Sequence, residues 1–152
     1  MPVVSKEVLK GYFEDGKEPD ESKHIDLIDT MVENNPWIDY SDDSTVIGWS
    51  STTIKDIRYK KIGNFYFVQF VIEGTSGGSG TVASFTVPET KDTDESCVNI
   101  IRVKNNSGSW VAGLQVLGNA STQVNLYSDP NGTAWTASGT KGVQGQFWYE
   151  AT

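Results

Sequence analysis

Two hydrophobic rhythms divide this chain. Between residues 19 and 33, Ile25, Ile28 and Val32 recur at three- and four-residue spacing, flanked by Leu27 and Met31. That is the period of an amphipathic helix. Pro19-Asp20-Glu21 supplies its entry, with Asp20 as N-cap and acids in the first turn, where the helix dipole favours them. Asn34-Asn35-Pro36 ends it, because the residue before proline is pushed out of the helical region. A helix this short is marginal alone, so its apolar stripe needs a partner.

From residue 45 onward the apolar positions fall into short runs. Strands are expected at 45–49, 54–60, 64–73, 82–87, 98–104, 109–117, 122–127 and 143–150. The run Phe65-Tyr66-Phe67-Val68-Gln69-Phe70-Val71-Ile72 is apolar on both alternating faces, which predicts a strand buried on two sides. The separators NNSG, GNAS, SDPNG and SGTKG are turn chemistry, and GTSGGSG at 74–80 is a flexible loop. The expected fold is mainly β: an antiparallel, jelly-roll-like β-sandwich at 45–152, preceded by a short helical segment within 1–44.

Charge sharpens that division. Residues 1–45 hold four Lys and twelve Asp or Glu, whereas the remainder holds eight Lys or Arg against eight Asp or Glu. The whole excess of −8 therefore sits in the N-terminal third. Neither part has the clustered Lys and Arg that phosphate binding needs, so nucleic acid is not an expected partner. No run of about eighteen apolar residues is present, so no membrane-spanning helix is expected. MPVVSKEVLK lacks the apolar stretch of a secretory signal, and Cys97 is the only cysteine, so synthesis in a reducing compartment is expected.

Candidate chemistry is sparse. His24 stands alone, without the further His or Cys of a zinc site, and Cys97 reads as a small packing residue. Asp92, Asp94 and Glu95 lack the glycine and terminal glutamate of a calcium loop. GTSGGSG lacks the Lys-Ser/Thr ending of a phosphate loop. Glu73 and Glu150, at strand ends, are the β region's candidates for the paired acids of glycoside cleavage. The expectation is a protein without catalytic residues, metal or cofactor.

Aromatic residues carry the remaining signal. Trp110 and Trp148 fall inside strands, where packing is the default. Trp135 and Tyr127 flank the SDPNGTA turn, from which they could stack on a ligand, a sugar being the natural candidate. Asp129 and Asn131 would then supply the orienting polar contacts.

Two sets of residues carry a family resemblance. Phe13, Gly16, Pro19 and Ile25-Asp26-Leu27-Ile28-Asp29-Thr30 resemble a segment near the N-terminus of bacteriophage tail fibre, tail spike and other virion appendage proteins. In that segment an aromatic residue, a glycine and a proline precede a short helix ending in Leu-Ile-Asp-Ser/Thr. Asp20 stands here where a small residue is usual, and Ile25 where an aromatic is usual. Further on, Tyr59-Lys60-Lys61-Ile62-Gly63-Asn64 before the apolar strand, then Ser84-Phe85-Thr86-Val87-Pro88, look like the distal domain of phage fibres. The closing GVQGQFWYEA suits that domain's last strand.

The resemblance implies a virion structural protein, usually a homotrimer, assembled in the bacterial host cytoplasm. Its N-terminal part would grip other virion proteins through Phe13, Ile25, Leu27, Ile28 and Val32. Its head would serve attachment to the host surface, with a glycan as receptor. A freestanding carbohydrate-binding module is the alternative. A glycan-degrading tail-spike enzyme fits less well, since such bodies are longer and repetitive.

Overall fold

The computed structural model describes residues 36–77, 82–92, 95–106 and 108–152. The segment 1–35, with the expected helix and with Phe13, Ile25, Leu27, Ile28 and Val32, lies outside the described residues. Nine strands are present among the described residues: β1 (Ile38–Asp39), β2 (Val46–Ile47), β3 (Trp49–Ile62), β4 (Phe65–Ser76), β5 (Ala83–Thr86), β6 (Cys97–Asn105), β7 (Val111–Leu117), β8 (Gln123–Tyr127) and β9 (Thr140–Glu150). They form one antiparallel sheet in the order β1-β3-β4-β9-β6-β7-β8-β5-β2.

The sheet curls on itself. β4 and β5 stand far apart in that order, yet the Phe70 and Phe85 rings lie 4.7 Å apart, and Phe147 of β9 packs on both. Around them Ile57, Tyr66, Val68, Ile72, Val103, Leu117, Val124, Val143 and Tyr149 fill the interior. Strand alternation delivers this core: the even residues of β4 from Tyr66 to Ile72 and the odd residues of β9 from Val143 to Tyr149 point inward.

Closure runs through Gly48. β2 pairs with β5 at one end of the sheet, and one residue later the chain enters β3 near the other end. Gly48 makes this turn at φ +97°, a value that side-chain-bearing residues rarely adopt, and a Cβ there would collide with the Val82 carbonyl oxygen. β3 bends further through irregularities at Trp49/Ser51 and Thr52/Ile54, where its register against β4 shifts. The expected strands at 45–49 and 54–60 are therefore divided differently. Gly48 makes the break, and residues 50–53 continue β3.

The β3–β4 hairpin matches its sequence signal. Ile62 pairs with Phe65 across a two-residue loop, and Gly63 at φ +61° fills the first position, which a type II′ turn reserves for glycine. At the start, the compact unit begins at Trp37. Residues 37–44, grouped with the N-terminal segment on sequence grounds, carry β1 and a tie to β5. The buried Ser44 hydroxyl donates to Thr86 O at 2.8 Å, and Tyr40 N donates to Ile57 O at 2.8 Å.

Candidate functional site

The SDPNG turn is held together by its own aspartate. Asp129 Oδ1 accepts from the backbone N–H of Asn131 at 2.8 Å and of Thr133 at 3.1 Å. Hydrogen bonds from Thr133, with smaller help from the Asn131 and Gly132 amides, hold its carboxyl below the ordinary Asp range. The carboxylate is thus engaged in forming the loop, while Asn131 is exposed and Tyr127 half-buried.

Trp135 corrects the sequence expectation. It is 2% exposed and donates its Nε1–H to Leu126 O at 2.8 Å. No sugar can stack on a ring that already lies inside the core. The turn brings Tyr127, Asp129 and Asn131 near one another, but its central aromatic faces inward.

Trp135 instead forms half of a cage. Lys141, at the start of β9, is 1% exposed. Its Nζ lies 5.2 Å from the Trp135 ring and 5.3 Å from the Trp49 ring, and donates to Gly48 O at 3.0 Å. Trp49 Nε1 donates in return to Lys141 O at 3.1 Å. Burial pulls the ammonium's pKa from 10.5 down to about 8. One lysine therefore joins the loop before β9, the entry of β3 and the Gly48 turn.

Glu73 and Glu150 stand at opposite ends of the sheet. Glu73 pairs with Gly142, and Glu150 lies eight residues further along β9. At a strand rise near 3.3 Å per residue the two are roughly 25 Å apart. Paired glycosidase carboxylates sit about 5–10 Å apart. These two cannot act together. Cys97 is half-buried, its thiol pKa raised by burial, and it donates to Trp148 O at 3.3 Å. No group of three or more His, Cys, Asp or Glu able to hold a metal occurs among the described residues.

The distinctive surface is the outward face of β3, β4, β9 and β6. Register divides it into rows along the strands. Ile62, Phe65 and Glu150 share one row, and Lys60, Phe67 and Trp148 the next. Arg58, Gln69 and Gln146 follow, then Asp56, Val71, Gln144 and Arg102. One end of the face is therefore aromatic and the other is amide-rich and charged.

At the aromatic end Phe65 and Trp148 lie 5.8 Å apart, and Trp37 joins under the Lys60 ammonium at 5.5 Å. A concavity of about 480 Å³ opens there, lined by Trp37, Ile62, Phe67 and Trp148 among others. Trp148 is 59% exposed, so its expected packing is not met within the single chain. On the outer face of β4, expected to be buried, Phe65 and Phe67 are likewise exposed, while Gln69, Val71 and Glu73 are half-buried.

At the amide end lies a shallower concavity of about 720 Å³. Gln69, Gln144, Gln146, Arg102 and Trp110 line it, with the Arg102 guanidinium 5.5 Å from the Trp110 ring centre. Sequence reasoning missed this grouping. The three glutamines and the arginine are scattered over β4, β6 and β9, and only the sheet order brings them together. The aromatic end was more legible, because Phe65-Tyr66-Phe67 and Phe147-Trp148-Tyr149 announce large residues on both faces.

No family model, curated protein or solved structure compared with the chain matches it.

Proposed function

We propose that this chain is a structural subunit of a bacteriophage particle appendage, a fibre or related protein of the tail, baseplate or capsid surface. Residues 1–36 hold it to other virion proteins, and the curled sheet that begins at Trp37 is a sandwich-like head displayed in a homotrimer. The observation that supports this reading most is where the fibre-like motifs fall in the fold. Tyr59 to Asn64 makes the β3–β4 hairpin, Ser84 to Pro88 spans β5 and the turn after it, and the closing segment is β9 at the sheet's centre. The motifs thus occupy a turn, a strand and a last strand in the order the resemblance calls for.

Deleting residues 1–35 tests the arrangement. The shortened chain should keep the far-ultraviolet circular dichroism of a β protein and fail to enter particles during infection. Normal incorporation of the shortened chain would sink the proposal. Electron microscopy of particles carrying a labelled chain would place it on the tail, baseplate or capsid.

A second reading has its own observation, the amide-lined concavity. Planar amides, a guanidinium and an indole ring suit hydroxyl-rich ligands, which fits a head that binds host-surface glycan or a freestanding carbohydrate-binding module. Gln146→Ala and Arg102→Ala should each abolish binding on a glycan array without lowering stability. An array on which the unaltered protein binds nothing would remove this reading.

A further inference from the structure

We propose that the aromatic end of the outward face is the surface on which a second copy of this chain docks. The inference rests on the homo-oligomeric part of the function above and names the residues that carry it.

The first argument is area. Trp37 is 43% exposed, Trp148 59%, and Phe65 and Phe67 each 40%. With side chains of about 150–250 Å², these four rings leave roughly 400 Å² of apolar surface open. Ile62 in the same concavity, and Val98 beside Trp148 on the adjoining β6, bring the total to roughly 550 Å². The largest apolar patch on a typical monomer is about 300–600 Å², and one side of a standard protein interface is about 800 Å². This zone stands at the top of the first range and is about two thirds of the second.

The second argument is charge. Lys60 flanks the zone on the β3 side and Glu150 on the β9 side. Neither has an ion-pair partner among the described residues. A threefold axis parallel to the strands sets the Lys60 flank of each molecule beside the Glu150 flank of the next. The surface is complementary to itself. Residues 46–152 also balance eight positive against eight negative side chains, so two heads meet without strong mutual repulsion.

Shape agrees as well. The 480 Å³ concavity beside Phe67 and Trp148 offers a recess for a ring from the facing copy. Buried aromatic anchors of this kind dominate interface energetics.

The test is sedimentation velocity on the full chain from about 0.1 to 100 µM, with single variants at exposed positions. Wild type should self-associate. Trp148→Glu and Phe67→Glu should each weaken association at least 100-fold while keeping the wild-type melting curve, and Val111→Glu, outside the zone, should change nothing. Lys60→Glu and Glu150→Lys should each weaken association about tenfold, and the double variant should restore it. An oligomer indifferent to Trp148→Glu and Phe67→Glu would overturn the inference and leave the homo-oligomeric function standing. A wild type that stays monomeric throughout would overturn both. Oligomers lost in the variants but never found in particles would sustain the interface and sink the virion assignment.

Discussion

Raising the pH from 8 to 9.5 should change the relative stability of wild type and Lys141→Met, and the size of the change follows from the cage. In the unfolded chain Lys141 titrates near 10.5, whereas in the folded protein burial holds it at about 8. Between those values the unfolded chain binds the extra proton, so the lysine destabilises the fold at low pH and ceases to do so as pH rises. With 1.36 kcal/mol per pKa unit the full effect is about 3 kcal/mol, and the part falling between pH 8 and 9.5 is roughly 1.5 kcal/mol. The Trp49 and Trp135 faces favour the cation, so these figures are upper bounds. Groups whose pKa the fold raises act in the opposite sense, the half-buried Cys97 and the buried Tyr149 among them. Burial raises the Cys97 thiol and the Tyr149 phenol, so both lose stabilisation as pH rises through their unfolded values. Both are common to wild type and Lys141→Met, so they cancel in the difference. Urea denaturation followed by circular dichroism at half-unit pH steps measures it. Wild type should gain on Lys141→Met by about 1 kcal/mol over this range. Parallel curves would refute the account of Lys141 as a cation held at a cost in a sealed cage.

Three further outcomes are expected. Trp135→Ala should destabilise by about 3–5 kcal/mol in urea, as deletion of a buried aromatic does, whereas Tyr127→Ala should cost about 1 kcal/mol; glycan binding lost at unchanged stability in Trp135→Ala would contradict the placement of the ring. Gly48→Ala and Gly132→Ala both force alanine into positive φ, at a strain of about 1–2 kcal/mol. Nothing lies within 4 Å of a Cβ at Gly132, whereas the Val82 carbonyl blocks one at Gly48, so Gly48→Ala should lower the melting temperature much further. Tyr149→Phe should flatten the fall in stability above pH 10, because burial keeps the native phenol protonated while the unfolded one ionises; a fall as steep as in wild type would place the alkaline sensitivity elsewhere.

Local pattern revealed strands and turns, and long-range closure decided the rest. The strands from 64 to 150 were legible, because apolar runs and Gly, Asn and Asp turns are signals within a few residues. The β2–β5 pairing was not. Its register joins Val46 to Phe85, a contact no periodicity reports, and it moved the strand break to Gly48. The two tryptophans show the same limit. Trp148 alternates with Phe147 and Tyr149, so one set had to face out, but the curl that sets Phe147 against Phe70 and Phe85 chose which. Trp135 lies outside any strand, and its burial depends on the Leu126 carbonyl and the Lys141 cage, both set by tertiary structure.

The edges and the face of this sheet point to different modes of association. Sheet proteins risk pairing through unpaired edge strands and blunt them with short strands, bulges and charge. Here the terminal strands β1 and β2 have two residues each. The part of β3 that β1 leaves uncovered carries two register irregularities and Lys55, Asp56, Lys60 and Lys61. Edge-to-edge growth into open filaments is therefore discouraged. The outward face has no such protection, since Phe65, Phe67 and Trp148 lie side by side on two central strands. A contact made through that face uses side chains rather than backbone ladders, and the Lys60 and Glu150 flanks restrict how two copies align. Association by the proposed route would saturate once the aromatic zone is covered, giving a closed oligomer of defined size and leaving the amide-lined end of the same face open to solvent.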